Sequence, residues 1–246
     1  SFSVVALVKM ISTQQIFAAK IVSKEEMLLL NEMDSIEKEV DFLSSFNHPN
    51  ILKYYDFFPI QCEKNEYFSI ITDYYEGNLA AYIQNGKIQF LNLKKILYKI
   101  AKAVGYLHSK GIAHLDIKPD NILIDSNSNL ALCDFGFSTS DEFSISTKCT
   151  PRYAAPELVQ QNGPYKPIVA DIWSLGVTFF AISMKKFPYN TSETLTNEKL
   201  QRKLSIIKNQ KLQNLIRKCL QIHPEQRATI NEILHDEYFS ATSNFR

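Results

Sequence analysis

The chain has 246 residues, of which 45% are hydrophobic and 22% charged; this composition is that of an ordinary folded domain and excludes collagen-like and intrinsically disordered classes. Its 27 Lys and Arg residues against 26 Asp and Glu residues give a net charge of +1, without a basic stripe or polybasic run. We therefore expect no nucleic-acid partner and no membrane partner. The length allows one large domain or two lobes that share an interface.

The four cysteines lie far apart and form no C-x-x-C pair, which favours a reduced, intracellular and cytoplasmic setting. No apolar run approaches the ~20 residues of a membrane span, and the first residues lack the charged flank of a signal peptide. The chain begins without Met inside a predicted strand, so we expect a fragment of a longer protein. It has only 7 glycines, well below the usual share of about 7%, which indicates that a glycine-bearing element is missing.

The first third of the chain is predicted to be mostly strands. Runs rich in β-branched residues at 4–9 and 16–22 flank a polar tetrapeptide, the pattern of a hairpin. Residues 34–46 repeat apolar side chains every three or four positions and predict a helix. Residues 51–58 and 67–74 are two further strand candidates.

Helical periodicity dominates the remainder. Helices are predicted at 93–109, 168–184, 212–221 and 229–234, and the second of them is apolar nearly all round, as a buried helix is. A small strand-rich lobe therefore precedes a larger helical lobe, with a crossover near residues 74–78.

Three motifs follow the helix at 93–109. Residues 114–121 read H-L-D-I-K-P-D-N and match the H-x-D-x-K-P-x-N catalytic loop, with Leu115 at the position that usually holds Arg. After short apolar runs at 122–124 and 130–132 come D-F-G at 134–136 and A-P-E at 155–157. Any one of these motifs alone could be an ordinary turn, but their order and spacing are those of protein kinases.

On these motifs, essentially the whole chain resembles a eukaryotic-type Ser/Thr protein kinase catalytic domain. The resemblance implies an α+β bilobal fold in one domain, residues 1–246, with an N-lobe at 1–74, a hinge at 75–78 and a C-lobe at 79–246. It also implies ATP and Mg²⁺ as cofactors and proteins as substrates, with a regulatory partner or an upstream kinase as further partners. D-F-G-F-S, Y-A-A-P-E and R-A-T are similar to segments of the calcium/calmodulin-dependent and AMP-activated-like kinase group.

Phosphoryl transfer requires positioning and charge neutralisation more than covalent chemistry. The resemblance makes Asp116 the residue that orients the substrate hydroxyl, and Lys118 the cation at the γ-phosphate. A Lys at the latter position is typical of Ser/Thr rather than Tyr kinases. Lys20, on the second predicted strand, would bind the α- and β-phosphates, and Thr150 would bridge Asp116 and Lys118.

Glu39, on the predicted helix, is the expected partner of Lys20, with Glu37 and Glu32 as competing surface carboxylates. Asn121 and Asp134 offer oxygens suited to Mg²⁺, which takes few protein ligands beside phosphate and water.

The adenine site is expected between Val5 and Ala18 above the base and Leu123 below, beside the hinge backbone at Tyr74 and Tyr75. Thr72 would be a small gatekeeper, and Cys133 would line the floor, as a reactive thiol or, by the simpler interpretation, an inert buried one. The expected cofactor-binding set is Val5, Ala18, Lys20, Glu39, Thr72, Asp73, Tyr75, Asn121, Leu123, Cys133 and Asp134.

Two further pairings are expected to be structural. Asp171 would hold the backbone of the catalytic loop, and Arg227 would pair with Glu157.

The chain departs from the family pattern at its start, where residues 1–5 match only the tail of the glycine-rich loop and Ser3 occupies the place of its third glycine. Leu115 cannot pair with an activation-loop phosphate, and Cys149 replaces a usual glycine. These departures keep open a pseudokinase scaffold that binds nucleotide or partners without efficient catalysis. Against that alternative, the catalytic, metal-binding and Lys-partner positions are all filled. A small-molecule kinase is disfavoured because residues 150–157 resemble a protein-substrate docking segment.

A few further sequence features concern the choice of substrate and the regulation of activity. The hinge region lacks the G-G-E acid that binds a substrate arginine in many relatives, and Ala181 replaces another such acid, so no strong arginine preference is expected. Phe137, directly after D-F-G, predicts serine over threonine as the acceptor. Ser146 and Thr147 stand at the family's phosphorylation position.

Overall fold

The computed structural model describes residues 3–30, 33–63, 65–160, 163–190 and 195–240. An antiparallel sheet of order β1-β2-β4-β3 forms the core of the first lobe. Its β1–β2 hairpin turns through Gln14, which adopts a φ of 60°, and the Met10 N–H donates to the Gln15 carbonyl across the turn. The strands are β1 (Ser3–Lys9), β2 (Ile16–Ser23), β3 (Tyr54–Cys62) and β4 (Asn65–Asp73).

The predicted strand at 51–58 is displaced in the structure, where β3 begins at Tyr54. Ile51 instead donates its N–H to the His48 carbonyl and bridges to Leu132 of the second lobe, so the preceding turn uses the backbone that a strand would need. At its other end β3 continues through Pro59 to Cys62. Proline is tolerated there because β3 is an edge strand.

Two helices pack beside this sheet. Helix α1 (Lys24–Leu29) is capped by Ser23, whose hydroxyl accepts from the Glu26 N–H, and the sequence analysis did not predict this helix. Helix α2 (Met33–Ser45) matches the predicted 34–46 and buries Ile36, Glu39 and Leu43 on one face. That face carries a carboxylate between two apolar side chains, which directs it towards the sheet.

The second lobe is mainly helical. A small sheet of order β5-β6-β7 (Gly77–Asn78, Ile122–Ile124 and Leu130–Leu132) lies beside these helices and carries the motif loops at its ends. Short 3-10 helices occupy Lys87–Phe90, Pro119–Asn121 and Pro224–Gln226. The α-helices are α3 (Leu79–Gln84), α4 (Leu93–Ser109), α5 (Pro156–Gln160), α6 (Pro167–Met184), α7 (Asn197–Leu204), α8 (Gln210–Cys219) and α9 (Ile230–Leu234).

Helix α6 is the central element of the second lobe, and Trp173, Phe179 and Phe180 on it are fully buried. By length and composition alone it could cross a membrane, with 18 residues at a mean hydropathy of 1.6, so the expectation that no apolar run approaches a membrane span was wrong. However, 78% of this segment is buried inside the protein. Its apolar surface is therefore already covered by neighbouring elements.

The α+β class, with a small sheet lobe before a larger helical lobe, is confirmed. Helix α4 coincides with the predicted 93–109, and α6, α8 and α9 lie within two residues of their predicted ends. The short helices α3, α5 and α7 were not predicted. Helices of five to eight residues give only a weak periodic signal, although α9, of similar length, was predicted.

Candidate active site

A cleft of about 290 Å³ lies between the sheet and the helical lobe. This volume is close to the lower end of the roughly 300 to 1,000 Å³ typical of small-molecule sites. The structure brings the whole expected cofactor-binding set to its walls. It adds Ser3, Leu43, Leu52 and Ile70, which the sequence analysis did not include.

Lys20 and Glu39 meet at the roof of this cleft. The Lys20 Nζ donates to both carboxylate oxygens of Glu39 at 2.7 Å, which links β2 to α2. Burial lowers the pKa of Lys20, but the charges of Glu39 and Asp134 outweigh it, and the pKa lies above its ordinary value. Of the competing carboxylates, Glu37 is exposed and Glu32 lies outside the described residues.

At the adenine end of the cleft, small and apolar side chains form the walls and a backbone N–H group can bind a ligand. Ala18 pairs with Thr72 across the β2–β4 ladder, so both small side chains lie at the same depth. Among the described residues, no backbone hydrogen bond uses the Tyr75 N–H, which therefore remains available to a ligand. Burial, followed by the charge of Asp73, raises the pKa of Tyr75 to about 12. Val5 is 68% exposed although it lines the cleft.

The catalytic loop is held from below by Asp171 on α6. Its carboxylate accepts from the backbone N–H groups of His114 and Leu115 at 2.7 and 2.8 Å, and contacts the Nε2 of His108 at 3.0 Å. Asp171 is completely buried. Leu115 has a φ of 63°, which is unfavourable for a branched side chain, and the bond to Asp171 helps to stabilise this conformation.

Asp116 lies at the centre of a hydrogen-bond network. Its Oδ1 accepts from the Thr150 hydroxyl at 2.6 Å, and its Oδ2 accepts from the Lys118 Nζ at 2.7 Å and the Asn121 Nδ2 at 2.8 Å. The Lys118 Nζ also donates to the Thr150 Oγ1 at 2.7 Å. The expected bridge of Thr150 between Asp116 and Lys118 is thus present, and Asn121 adds a bond to the same carboxylate that the sequence analysis did not predict.

Asp134 enters the cleft from the end of β7. The Phe135 ring next to it is fully buried and packs between His114 and Phe46, at centroid distances of 4.9 and 5.0 Å. Asp134 itself adopts a φ of 64°, so the chain reverses there. The buried ring therefore anchors a short turn that leaves the Asp134 side chain among the cleft walls.

The residues at the metal position fit Mg²⁺. Both side-chain hydrogen bonds of Asn121 use its Nδ2, and among the described residues neither its Oδ1 nor the Asp134 carboxylate takes part in a hydrogen bond. One amide and one carboxylate oxygen are thus available in the cleft, a set suited to an ion that keeps phosphate and water ligands. No group of three or more His, Cys, Asp or Glu side chains in the described parts of the chain could hold a metal.

Comparison with known proteins agrees with this geometry. Residues 1–239 match the family model of the protein kinase domain. The chain belongs to the protein kinase family. It is 34% identical over 217 residues to serine/threonine-protein kinase ppk34 of Schizosaccharomyces pombe, an alignment that covers 83% of this chain and 61% of the relative.

Two plant relatives extend this comparison. The chain is 31% identical to CBL-interacting protein kinase 32 of Oryza sativa, over 90% of this chain and 52% of the relative. It is also 31% identical to CBL-interacting serine/threonine-protein kinase 8 of Arabidopsis thaliana, over 97% of this chain and 55% of the relative. These matches confirm the resemblance to the calcium/calmodulin-dependent and AMP-activated-like group. The chain spans about half to three fifths of these relatives' lengths.

Cys133 lines the cleft of this kinase domain directly before Asp134. Burial, followed by the charge of Asp134, raises the pKa of its thiol well above the usual value. The Sγ lies 3.4 Å from the Asn121 carbonyl oxygen, to which it donates. Because the thiolate is the reactive form, the structure favours the inert interpretation of this cysteine.

The end of the activation segment, residues 134–157, is fixed to the C-lobe by Arg227. Its two terminal nitrogens each donate to a carboxylate oxygen of Glu157 at 2.6 Å, and the Arg227 side chain is completely buried. Ser146 and Thr147, earlier in the segment, are exposed. Leu115 is buried at the position where many kinases present an arginine to a phosphate.

Proposed function

We propose that this chain is the catalytic domain of a protein serine/threonine kinase that transfers the γ-phosphate of ATP to protein hydroxyl groups with the help of Mg²⁺. The observation that carries the proposal is the state of the Asp116 carboxylate. A carboxylate offers about four acceptor positions. Thr150, Lys118 and Asn121 occupy three of them and leave one on Oδ1.

That last position suits the hydroxyl of a substrate side chain. A hydroxyl that donates to Oδ1 would have its oxygen held in a fixed direction, ready for attack in line with the leaving group. The Thr150 bond to the same oxygen and the Lys118 bond to the other prevent the carboxylate from rotating. Asp116 would thereby orient the nucleophile and receive its proton as the hydroxyl oxygen bonds to the γ-phosphorus and the bond from that phosphorus to ADP breaks.

The cations in the cleft have separate tasks. Lys20, fixed by Glu39, would neutralise the α- and β-phosphates, while Lys118 would neutralise the transferred phosphoryl group. Asn121 and Asp134 would hold Mg²⁺, which would supply charge neutralisation at the phosphates. The Tyr75 N–H and the apolar walls formed with Ala18 and Leu123 would bind adenine.

Serine is the preferred acceptor in this proposal. Phe137 lines a cavity together with Asp134 and Gly136 and is 36% exposed. By resemblance to kinases with a large residue directly after D-F-G, its ring would border the space beside an acceptor hydroxyl. Threonine's extra methyl would compete with this ring. One methyl in a tight site changes kcat/KM by roughly tenfold or more.

Further aspects of the proposal rest on the sequence. The lobe boundaries at 74 and 78, the cytoplasmic setting, and a regulatory partner or upstream kinase remain predictions. Two of the relatives are named CBL-interacting, which supports a regulatory protein partner for this kinase as well.

A transfer assay tests the activity directly. The full-length protein is incubated with γ-labelled ATP, Mg²⁺ and a protein substrate mixture. We expect label on serine that is lost in Asp116→Asn and kept in Cys62→Ser, a change on the exposed edge strand. Nucleotide binding without transfer would favour the pseudokinase scaffold.

The acceptor preference is tested with peptides that differ only in serine or threonine at the acceptor. Serine should be favoured, and Phe137→Val should shift the ratio towards threonine. Equal rates for the two peptides would remove Phe137 from the specificity argument and leave the kinase proposal intact.

A further inference from the structure

Arg152 is close in sequence to the groups at the reaction centre, but none of the roles proposed above uses it. It follows Thr150 by two residues, in the segment whose Thr150 hydroxyl is bonded to Asp116, and it is exposed. An extended peptide advances about 3.3 to 3.6 Å per residue. A guanidinium on this segment is therefore close to substrate residues within about three positions of an acceptor held at Asp116.

The Arg152 side chain is held in place before any substrate binds. Its guanidinium lies over the Phe187 ring, 5.0 Å from the centroid, and Phe187 packs edge-to-face against Tyr153 at 5.4 Å. The Arg152 carbonyl accepts from the Tyr189 hydroxyl at 3.1 Å, and that hydroxyl accepts from Trp173 Nε1 at 3.0 Å. Stacking on an aromatic face leaves the N–H edge of the guanidinium open to a planar anion and reduces the entropy lost on binding.

The charge of Arg152 is not neutralised by its described neighbours. No carboxylate in the described parts of the chain forms an ion pair with it, whereas Glu157 is engaged by Arg227 and Asp116 by Lys118. A stacked and uncompensated guanidinium is suited to bidentate binding of a carboxylate or phosphate.

The acidic groups that could bind a basic residue of a substrate are less available than the Arg152 guanidinium. Glu76 in the hinge region is occupied by Ser126, whose backbone N–H and hydroxyl both donate to its carboxylate. Asp120 is exposed. Burial raises the pKa of Tyr153, and the charge of Asp120 raises it further, so Asp120 lies on the same side of the cleft as Tyr153 and its neighbour Arg152. Asp120 would favour a basic residue at a different substrate position from the one that Arg152 contacts.

We infer that Arg152 gives this kinase a preference for an anionic side chain, from aspartate, glutamate or phosphoserine, within about three positions of the acceptor serine. This inference rests on the proposed kinase function, because it concerns the peptide that binds at the same centre. It makes Arg152 a specificity-determining residue that contacts substrate and acts mainly on KM.

The test uses neutral peptides with one acceptor serine and a single aspartate moved one position at a time along both sides of it. A parallel set carries phosphoserine in place of aspartate, which separates a primed substrate from an acidic one. We expect kcat/KM to rise by about two- to fivefold at one or two adjacent positions, the range for an ion pair that stays partly in water. The gain should shrink at high salt.

Variants then assign the gain to Arg152. In Arg152→Ala the ratio of acidic to neutral kcat/KM should fall to about one. In Arg152→Glu the preference should invert, so that a lysine at the same position is favoured. Lys110→Ala, which removes an exposed cation at the end of α4, should retain the full preference.

Peptide binding separates this inference from the kinase proposal. Fluorescence anisotropy with acceptor-serine-to-alanine peptides measures the affinity ratio without transfer. A ratio that favours the acidic peptide and disappears in Arg152→Ala would support the inference even if no transfer occurred. A flat aspartate scan in both assays, or a preference unchanged in Arg152→Glu, would overturn it while leaving any observed transfer activity valid.

Discussion

The two walls of the cleft differ in how many contacts hold their functional groups. In the C-lobe, Asp116 is fixed by three side chains, and the loop that carries it is bonded to the buried Asp171. In the N-lobe, the described side chains fix Lys20 through Glu39, on a sheet whose β1 residues Val4, Val5 and Leu7 are 57 to 68% exposed. The groups that orient the acceptor are thus part of the core, whereas the phosphate cation depends on one helix contact. Changes in the two walls should therefore separate stability from activity.

The largest expected effect is on stability and concerns the C-lobe. Arg227→Met leaves Glu157 without its buried partner and should lower the free energy of unfolding by about 3 to 5 kcal/mol. Urea denaturation measures this loss. The control is Arg202→Met, which breaks an ion pair whose side chains are 77% and 74% exposed and should change stability by less than about 1 kcal/mol. Equal losses in the two variants would show that the C-lobe pairing is no more important than a surface pair.

The next effect is on activity and concerns the N-lobe. Lys20→Met removes the cation expected at the phosphates and should reduce kcat by about 10² to 10³. The loss of stability should be smaller than in Arg227→Met, because the unpaired Glu39 carboxylate lines the open cleft, where water can replace the Lys20 ammonium. Lys24→Met, on the same lobe and paired with the exposed Glu66, is the matched control. Near wild-type turnover in Lys20→Met would show that the phosphate site has been wrongly assigned.

A smaller effect is expected for the reactivity of two cysteines, Cys133 in the cleft and Cys62 on the surface. Because burial raises the pKa of Cys133, the thiolate fraction at pH 8 is very small, whereas Cys62 at the end of β3 is exposed. Iodoacetamide should therefore modify Cys133 at least about tenfold more slowly, with a rate that still rises above pH 9. Mass spectrometry of the labelled peptides gives both rates. Faster labelling at Cys133 than at Cys62 would mean that the cleft floor opens to solvent.

The smallest effect is expected from the exposed activation segment. A phosphate on Ser146 or Thr147 adds about −1.5 to −2 charge, but Leu115 cannot pair with it. The double variant Ser146→Ala with Thr147→Ala should change turnover by less than about tenfold, as measured with one peptide at saturating ATP. A loss above about a hundredfold would show that another cation replaces the missing arginine.

The sequence predicted those parts of the site that carry a motif. Asp116, Asn121 and Asp134 occupy fixed places in short polar segments, and their spacing sets which strand or helix end they occupy. The Lys20–Glu39 contact could also be predicted, because the periodicity of α2 places the carboxylate on its buried face. For these groups the resemblance to the family, carried by the motifs, was sufficient to name the residues.

Other contacts depend on packing that no local pattern records. Leu43, Leu52 and Ile70 line the cleft, but an apolar residue in a sequence does not reveal whether its neighbour is the core or a ligand pocket. The stacking of Arg152 on Phe187 joins residues that only the folded C-lobe brings together. Such contacts could be found only in the structure. Helix α1 was missed because the capping role of Ser23 was not recognised in the sequence.

The carboxylate of Asp171 makes the catalytic loop part of the slowest-opening region of the protein. The amide protons of His114 and Leu115 belong to a loop, where exchange with solvent is ordinarily fast, yet both are donated to a group with no exposed surface. They can exchange only when α6 separates from the loop. In native-state deuterium exchange these two amides should therefore be protected almost as long as those within α6, which would make them a probe of C-lobe integrity placed directly beside the reacting groups.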